Sequence, residues 1–319
     1  MKIAVVIVNY NGKEFLEGCV TSVLEQSLKP SDILVIDAAS KDSSKELLKK
    51  INKDVKVKFL TSNIGFAGAA NIGIRETEGE YVLLLNSDTC LAAEFIFKIR
   101  AAAAKLDASY GMLSGKLLRM QDRKIVDSAG QFVRRSLRPL ERNYGEPDKL
   151  YPAGQCFSAC GAVMLLKREM LENVKYRDEY FDEDLFMYYE DFDLGLRANA
   201  LGWKCYYEPE AVAVHYRGGS GVRQKSKSFL FRKKSLELKR HLLANRYLVL
   251  TKSIPAFLVL KNLPHLLAYE IIFWIYLLIF DIRVVAGMKK YFRLRRAMKE
   301  KGKLIRAAIA ERELEKWFI

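Results

Sequence analysis

Short runs of consecutive apolar residues, most of them ending in a polar group, recur through the first quarter of the chain. They are Ile3–Val8 before Asn9, Ile33–Ile36 before Asp37, and Tyr81–Leu85 before Asn86-Ser87-Asp88, with Val55–Leu60, broken by Lys56 and Lys58, as a further strand between the last two. Between them, Glu14–Gln26, Ser43–Lys50 and Ala67–Glu76 read as helices, with Asp42 positioned to cap the second. A continuous apolar run suits a strand buried on both faces, as in a parallel sheet covered by helices. Strand and helix alternating about every 20 to 25 residues therefore predict an α/β fold with a doubly wound, mostly parallel sheet. Such sheets bind ligands beyond the carboxyl ends of their strands, where Asn9, Asp37 and Asp88 all fall.

The pattern continues less regularly. Glu94–Lys105 reads as a helix, and the arginine-rich stretch Gly130–Tyr151 as a loop or short hairpin. Cys160–Leu166 is a strand and Lys167–Leu171 opens a helix. The acidic segment Tyr180–Asp193 leads into a helix that Gly202 stops, before a strand at Lys204–Glu208. At 319 residues, half of them apolar, the chain is long enough for one large domain with an appendage or for two domains, and disorder is excluded. Five cysteines without a C-x-x-C pair support neither a disulfide framework nor a zinc ribbon, and suit a reducing compartment. Met1–Tyr10 reads as a strand, not a signal peptide.

The basic excess, 53 Lys and Arg against 38 Asp and Glu, is local. Residues 222–319 hold 23 against 7, whereas the first 221 hold 30 against 31. Such a tail suits nucleic acid, an anionic membrane or an acidic partner. Its apolar content argues against nucleic acid: Ile254–Ala286 is rich in aliphatic and aromatic residues, interrupted at Lys261, Glu270 and Asp281. The longest uncharged run there, Ile271–Phe280, has 10 residues, short of the about 20 that a spanning helix needs. With Lys289, Lys290, Arg293, Arg295, Arg296, Lys299, Lys301, Lys303 and Arg306 following it, the segment is expected to lie in an anionic membrane interface. The competing expectation is packing against the first domain or a second subunit.

Several constellations carry chemistry. Asp88, between a strand and a helix, suits a divalent cation shared with phosphate oxygens. Asp37 suits a hydrogen bond to a nucleobase ring N–H. The small residues of Asn63-Ile64-Gly65-Phe66-Ala67-Gly68-Ala69-Ala70-Asn71-Ile72-Gly73 allow a ligand or another chain segment close to the backbone, and a helix N-terminus there would face a diphosphate. Glu190, Asp191 and Asp193 crowd three carboxylates among aromatics, which raises at least one pKa, as a general base requires. His215 ends the run Ala211–Val214 beside the cationic, glycine-rich Tyr216–Gly221, where a metal or diphosphate role and a structural role both stay open.

Taken in order, Val-Ile-Val-Asn-Tyr-Asn-Gly, Val-Ile-Asp-Ala-Ala-Ser-Lys-Asp, the Asn63–Gly73 motif, Leu-Leu-Leu-Asn-Ser-Asp-Thr and Phe-Met-Tyr-Tyr-Glu-Asp-Phe-Asp-Leu-Gly-Leu-Arg resemble a family 2 inverting glycosyltransferase, nearest its rhamnosyltransferase-like branch. The resemblance covers residues 1 to about 221. It implies a glycosyltransferase A type fold, with a nucleotide-binding half at about 1–110, an acceptor half at about 111–221, and 222–319 as a helical region for membrane-interface binding or oligomerisation. It implies Asp191 as catalytic base, Asp88 as the last, metal-binding position of a D-x-D motif and Asp37 as the base-recognising acid. His215 would be a further metal ligand. Asn9, Asn63, Gly65, Asn71, Asn86 and Arg217 would complete the donor site, with Gly218-Gly219 closing over the diphosphate.

The implied cofactor is Mg²⁺ or Mn²⁺, and the implied donor a nucleoside-diphosphate sugar, rhamnose favoured. The acceptor would be a polyprenyl-diphosphate glycan or polysaccharide at the cytoplasmic face of the membrane. Ala38 and Asn86 depart from the family pattern, and Asn86 leaves one carboxylate fewer for the cation. The alternatives are a sugar-nucleotide-binding nucleotidyltransferase, disfavoured by Asn9-Tyr10-Asn11-Gly12 after the first strand, and a non-catalytic membrane-associated scaffold.

Overall fold

The first four strands expected from the sequence become adjacent. In the computed structural model, which describes residues 1–51, 54–217, 231–232, 234–306 and 314–319, they are β1 (Ile3–Asn9), β2 (Asp32–Asp37), β3 (Lys56–Phe59) and β4 (Tyr81–Asn86), separated by α1 (Lys13–Leu24), α2 (Ser44–Leu48) and α3 (Gly65–Glu76). All pair in parallel, β1 lying between β2 and β4. Every residue of β1 is buried, and each buried Val or Ile contributes about 1.5–3 kcal/mol relative to exposure.

Then follow β5 (Thr89–Leu91), α4 (Phe95–Ala103), β6 (Tyr110–Arg119), β7 (Asp122–Ser128), β8 (Gln131–Arg134), β9 (Arg138–Glu141), β10 (Gly154–Cys156), β11 (Val163–Lys167), α5 (Arg168–Val174), α6 (Glu190–Ala200) and β12 (Lys204–His215). The long β6 and the neighbouring β7 went unread in the sequence, because Tyr110–Arg119 mixes glycine, serine and lysine into its apolar pattern. The β8–β9 hairpin falls in the stretch expected to hold one. One ten-stranded sheet results, ordered β10-β12-β6-β11-β4-β1-β2-β3, with β5 on β12 and β7 on β6. It is mixed: β11 runs antiparallel to β4 and β6, and β12 is parallel to β6. The carboxyl ends of β1, β2, β4 and β12 therefore share one rim with the amino end of β11. All five cysteines are free thiols, although Cys156 and Cys205 lie 3.4 Å apart across β10 and β12.

The tail folds back on this body as α7 (Leu236–Ser253), α8 (Ala256–Lys261), α9 (Leu263–Phe280), a 3₁₀ turn and α10 (Met288–Arg306). Leu248, Val249, Ile254, Leu258 and Met298 share an apolar cluster with Phe157, Leu185, Phe192 and Leu196. Charge reinforces the seam. The buried Lys252 Nζ donates to Asp182 Oδ2 at 2.6 Å and Asp193 Oδ2 at 2.9 Å, Ser253 Oγ donates to Asp193 Oδ1, and Lys301 reaches Asp182 Oδ1 at 2.5 Å. Of the expectations for the tail, packing against the first domain is met. Its ends pack on the first domain, while Leu267, Ile271, Ile272, Ile275, Leu278, Ile279 and Phe280 of α9 stay exposed. That helix has 18 residues and by length and composition alone is apolar enough to cross a membrane; it extends beyond the uncharged run and includes Glu270, which accepts from Arg246 Nε at 2.9 Å and from the Tyr247 hydroxyl.

Burial alone would raise the Asp182 carboxyl, but the charges of Lys252 and Lys301 outweigh it and hold the group well below the usual carboxylate range. Asp193 is likewise held down, against burial, by Lys252 and Arg197. The stability these acids contribute is complete above the unfolded value of about 3.9 and is lost as pH falls through the depressed folded value. Lys252→Met should cost about 3–5 kcal/mol by taking the shared cation from two buried carboxylates and leaving each with one. A loss in chemical denaturation of only the about 1 kcal/mol typical of an exposed pair would mean that the tail is not docked this way.

Candidate active site

The shared rim gathers most of the residues singled out from the sequence. Ser87 N–H donates to Val8 O, Ala38 N–H to Asn9 O and Asn86 N–H to Ala162 O, so the ends of β1, β2, β4 and the approach to β11 are stitched together. Asn9 is fully buried and donates to Asp37 Oδ2 at 2.8 Å, while Ser40 N–H donates to Asp37 Oδ1 at 3.0 Å. Asn9 thus aims Asp37 instead of reaching a ligand itself.

Asp88, just past β4, lies with its Oδ1 3.5 Å from His215 Nε2 at the end of β12. The other imidazole nitrogen, Nδ1, is 2.9 Å from Asp127 Oδ2 at the end of β7. Asp127 Oδ1 accepts from Arg217 Nε at 2.6 Å, and Arg217 Nη2 lies 3.8 Å from Glu141 Oε1. Glu141 Oε1 accepts from Gln131 Nε2 at 3.3 Å, and the same amide donates to Asp191 Oδ2 at 2.8 Å. Asp88 and Asp191, 103 positions apart in sequence, are therefore the two ends of one unbroken polar chain. Asp191 Oδ2 also accepts the Gly161 N–H at 3.0 Å, directly beside Ala162 and so beside Asn86.

The environment splits the three crowded acids. Burial, then the Glu141 charge, pushes Asp191 up. Burial, then the Asp191 charge, pushes Glu190 well above its ordinary value, and its Oε2 has no hydrogen-bond partner among the described residues. Asp193 goes the other way, held by Lys252 and Arg197. Asp191 is thus the more readily ionised of the raised pair, and it lies on the rim. Burial alone would raise Asp127, but the charge of Arg217 and the hydrogen bond and charge of His215 hold it down. Burial alone would lower His215, but hydrogen bonds to Asp127 and Asp88 push it up to about 9.

Four expectations change. Asn71 is spent on protein: its Nδ2 donates to Phe181 O and Glu183 Oε1, and its Oδ1 accepts the Phe181 N–H. Asn63 Oδ1 accepts the Gly65 N–H, closing the turn into α3. Gly65, at φ +78°, makes room for protein: a Cβ there would lie 2.4 Å from Phe186 O. The Ala67 N–H donates to that carbonyl, so the start of α3 faces the loop before α6 and not a diphosphate. Arg217 engages Asp127 and Glu141, and Gly218-Gly219 lie outside the described residues. The sequence reading also missed Asp127, Gln131, Glu141 and Gly161. Only Asp127 left a trace, since Ile125-Val126-Asp127 is an apolar run ending in an acid, as at Asp37 and Asp88.

The loop entering α6 is strained, with Phe186, Tyr188 and Tyr189 at φ of 67°, 66° and 74°. Left-handed backbone in such residues costs about 1–3 kcal/mol each and persists only where its surroundings enforce it. Among the described residues no three or more acid, His or Cys side chains are grouped to hold a metal. The pair Asp88 and His215 nevertheless fits a divalent cation completed by water and phosphate oxygens, because Asp127 anchors Nδ1 and leaves Nε2 facing Asp88.

The family description for glycosyl transferase family 2 matches residues 4–175, more than half of the chain. The chain belongs to glycosyl transferase family 2. It is 30% identical over 96 residues to the teichoic acid poly(glycerol phosphate) polymerase of Staphylococcus epidermidis, covering 29% of this chain and 13% of that protein. To the putative teichuronic acid biosynthesis glycosyltransferase TuaG of Bacillus subtilis it is 33% identical over 89 residues, 27% of this chain and 35% of that one. The chain thus spans well under half the length of these relatives. The solved mannosyltransferase PcManGT of Pyrobaculum calidifontis, in complex with GDP-Man and Mn²⁺, superposes with a TM-score of 0.53 at 18% identity over 96% of this chain and 85% of that one. The glycosyltransferase A fold expected from the family 2 motifs is therefore present, with the helical C-terminal region added.

In chelator-treated protein, Asp127→Asn should lower the His215 titration midpoint from about 9 by at least about one unit, equivalent to about 1.4 kcal/mol of lost anionic contact. The NMR shifts of the imidazole ring protons report it. An unchanged midpoint would mean that Asp127 does not hold the ring.

Proposed function

We propose that this family 2 member is a metal-dependent inverting glycosyltransferase that moves a sugar from a nucleoside-diphosphate donor to a lipid-linked or polysaccharide acceptor of the cell envelope. The observation that carries the reading is the single rim joining Asp88 to Asp191. In this assignment Asp37 recognises the nucleobase, and Asp88 and His215 hold Mg²⁺ or Mn²⁺. A bound cation would neutralise charge developing on the leaving diphosphate. Asp191, raised by burial and kept oriented by Gly161 and Gln131, takes the proton of the attacking acceptor hydroxyl, and a base opposite the leaving group yields inversion. Arg217 supports the acids of the chain and lies next to the expected diphosphate position. With Asn86 in place of a first carboxylate, the cation should be held weakly and exchange readily.

Residues of about 1–110 would serve the donor and about 111–221 the acceptor. The likeness to a teichoic acid polymerase and a putative teichuronic acid glycosyltransferase supports a polymeric or lipid-linked acceptor. dTDP-rhamnose is the first donor to test, ahead of UDP- and GDP-sugars, because the motif wording is nearest the rhamnosyltransferase-like branch. The exposed apolar side of α9, flanked by the exposed cations Lys289, Arg293 and Arg295 of α10, supports peripheral binding to an anionic membrane. The same side favours a second subunit if vesicles fail to bind it.

Asp191→Asn should keep donor affinity and lower turnover ~10²–10⁴-fold, the share of a positioned base, whereas Asp88→Ala should weaken cation-dependent donor binding in calorimetry. Retained turnover in the first, or cation-independent donor affinity in the wild type, would remove those assignments. Flotation with phosphatidylserine vesicles should carry the protein upward at low salt and release it at high salt, and protein left at the bottom of the gradient at low salt would remove the membrane.

A further inference from the structure

The strained turn that presents Glu190 and Asp191 is held from outside the catalytic body. Asn245, fully buried in the middle of α7, directs its Nδ2 at three carbonyls of that turn: Leu185 O at 2.7 Å, Met187 O at 2.8 Å and Tyr188 O at 2.8 Å. Its Oδ1 accepts from Lys290 Nζ of α10 at 2.9 Å, and the same ammonium donates to Leu185 O at 3.2 Å. The amide is thus fixed with its donors toward the turn. The Phe186 ring stacks on His241, one helical turn earlier, at a centroid distance of 5.1 Å. On the far side the turn meets the start of α3, where Ala67 N–H donates to Phe186 O. Without such partners, a segment containing three left-handed non-glycine residues would relax to ordinary backbone, and α6 would start from a different place.

We propose that Asn245 is a positioning residue for Asp191: by clamping the carbonyls of residues 185, 187 and 188 it fixes the turn that sets the first residues of α6, and so keeps the Asp191 carboxylate against Gly161 and Gln131 on the rim. The inference rests on the assignment of Asp191 as the base. It makes the C-terminal helices part of the acceptor-activating machinery as well as a surface for binding. Asn245 touches no substrate; its effect passes through the backbone. Two buried N–H groups satisfying three carbonyls also explain the residue type. Aspartate would present only acceptors to acceptors, and leucine would take the side-chain donor away from the Met187 and Tyr188 carbonyls.

The test compares Asn245→Ser and Lys290→Met with wild type and with Asp191→Asn. Asn245→Ser should lower kcat about 10- to 100-fold, the scale of an ångström-sized misplacement, while the donor KM stays within about threefold of wild type, because Asp37 and Asp88 are held by Asn9 and His215 on other elements. Hydrogen exchange at the amides of residues 186–192 should speed up, while the amides of β1 and β4 keep their protection. Lys290→Met should move both readings the same way by less, and carries the test if Asn245→Ser does not fold. Wild-type kcat and wild-type exchange in folded variants would overturn the clamp. If Asp191→Asn proves active, the base assignment falls instead, and the exchange measurement alone decides whether Asn245 holds the turn.

Discussion

A carboxylate taken out of water must find a cation or a donor, and that requirement assembles this rim. Asp127 is the pivot. With one oxygen toward His215 and the other toward Arg217, it makes the burial of an imidazole and a guanidinium tolerable, and those two groups in turn face Asp88 and Glu141. Remove the pivot and the chain between the two functional ends has no continuous electrostatic support. The same logic recurs at Asp193, whose buried charge is met by Lys252, Arg197 and Ser253. The two acids are two residues apart in sequence with opposite fates: Asp193 is neutralised and structural, whereas Asp191 is left with neutral donors and a like charge nearby.

Backbone geometry does the rest of the positioning. Parallel pairing of β1, β2 and β4 sends three polar strand ends to one edge, and the antiparallel insertion of β11 brings Gly161 to that same edge from the other direction. A purely parallel sheet would not place a backbone N–H pointing at Asp191 beside Asn86. Glycine is needed at 65 because Phe186 comes within contact of its backbone, so the small-residue motif is read by the protein itself.

Much of this was legible in the residue order. Runs such as Ile3–Val8 announce a buried strand by themselves, and a strand-end acid such as Asp88 is visible wherever the run before it is clean. The family motifs then fixed the fold and the expected roles together. Three things were not legible. The direction of β11 depends on its pairing with β4, made over more than 70 residues. The chain from Asp88 to Asp191 depends on Gln131 and Glu141, which sit in a hairpin where the arginines draw the eye and no motif marks either residue. The docking of the tail was obscured by its own lysines: Lys252 looks in sequence like one more member of a basic surface, and only its neighbours in space reveal that it is a counterion. Asn63 and Asn71 erred in the opposite sense, since an asparagine in a glycine-rich motif suits a ligand as well as it suits a turn.

The seam at Lys252 also has a consequence for how the protein is made. The acidic segment ending at Asp193 leaves the ribosome 59 residues before Lys252, the cation that Asp182 and Asp193 share, an interval of about 3–12 seconds at 5–20 residues per second. During that interval the nascent chain holds a carboxylate cluster that cannot yet be enclosed. α7 can cover the α6 side only once it has been synthesised, so that the last third of the polypeptide completes the body begun by the first two.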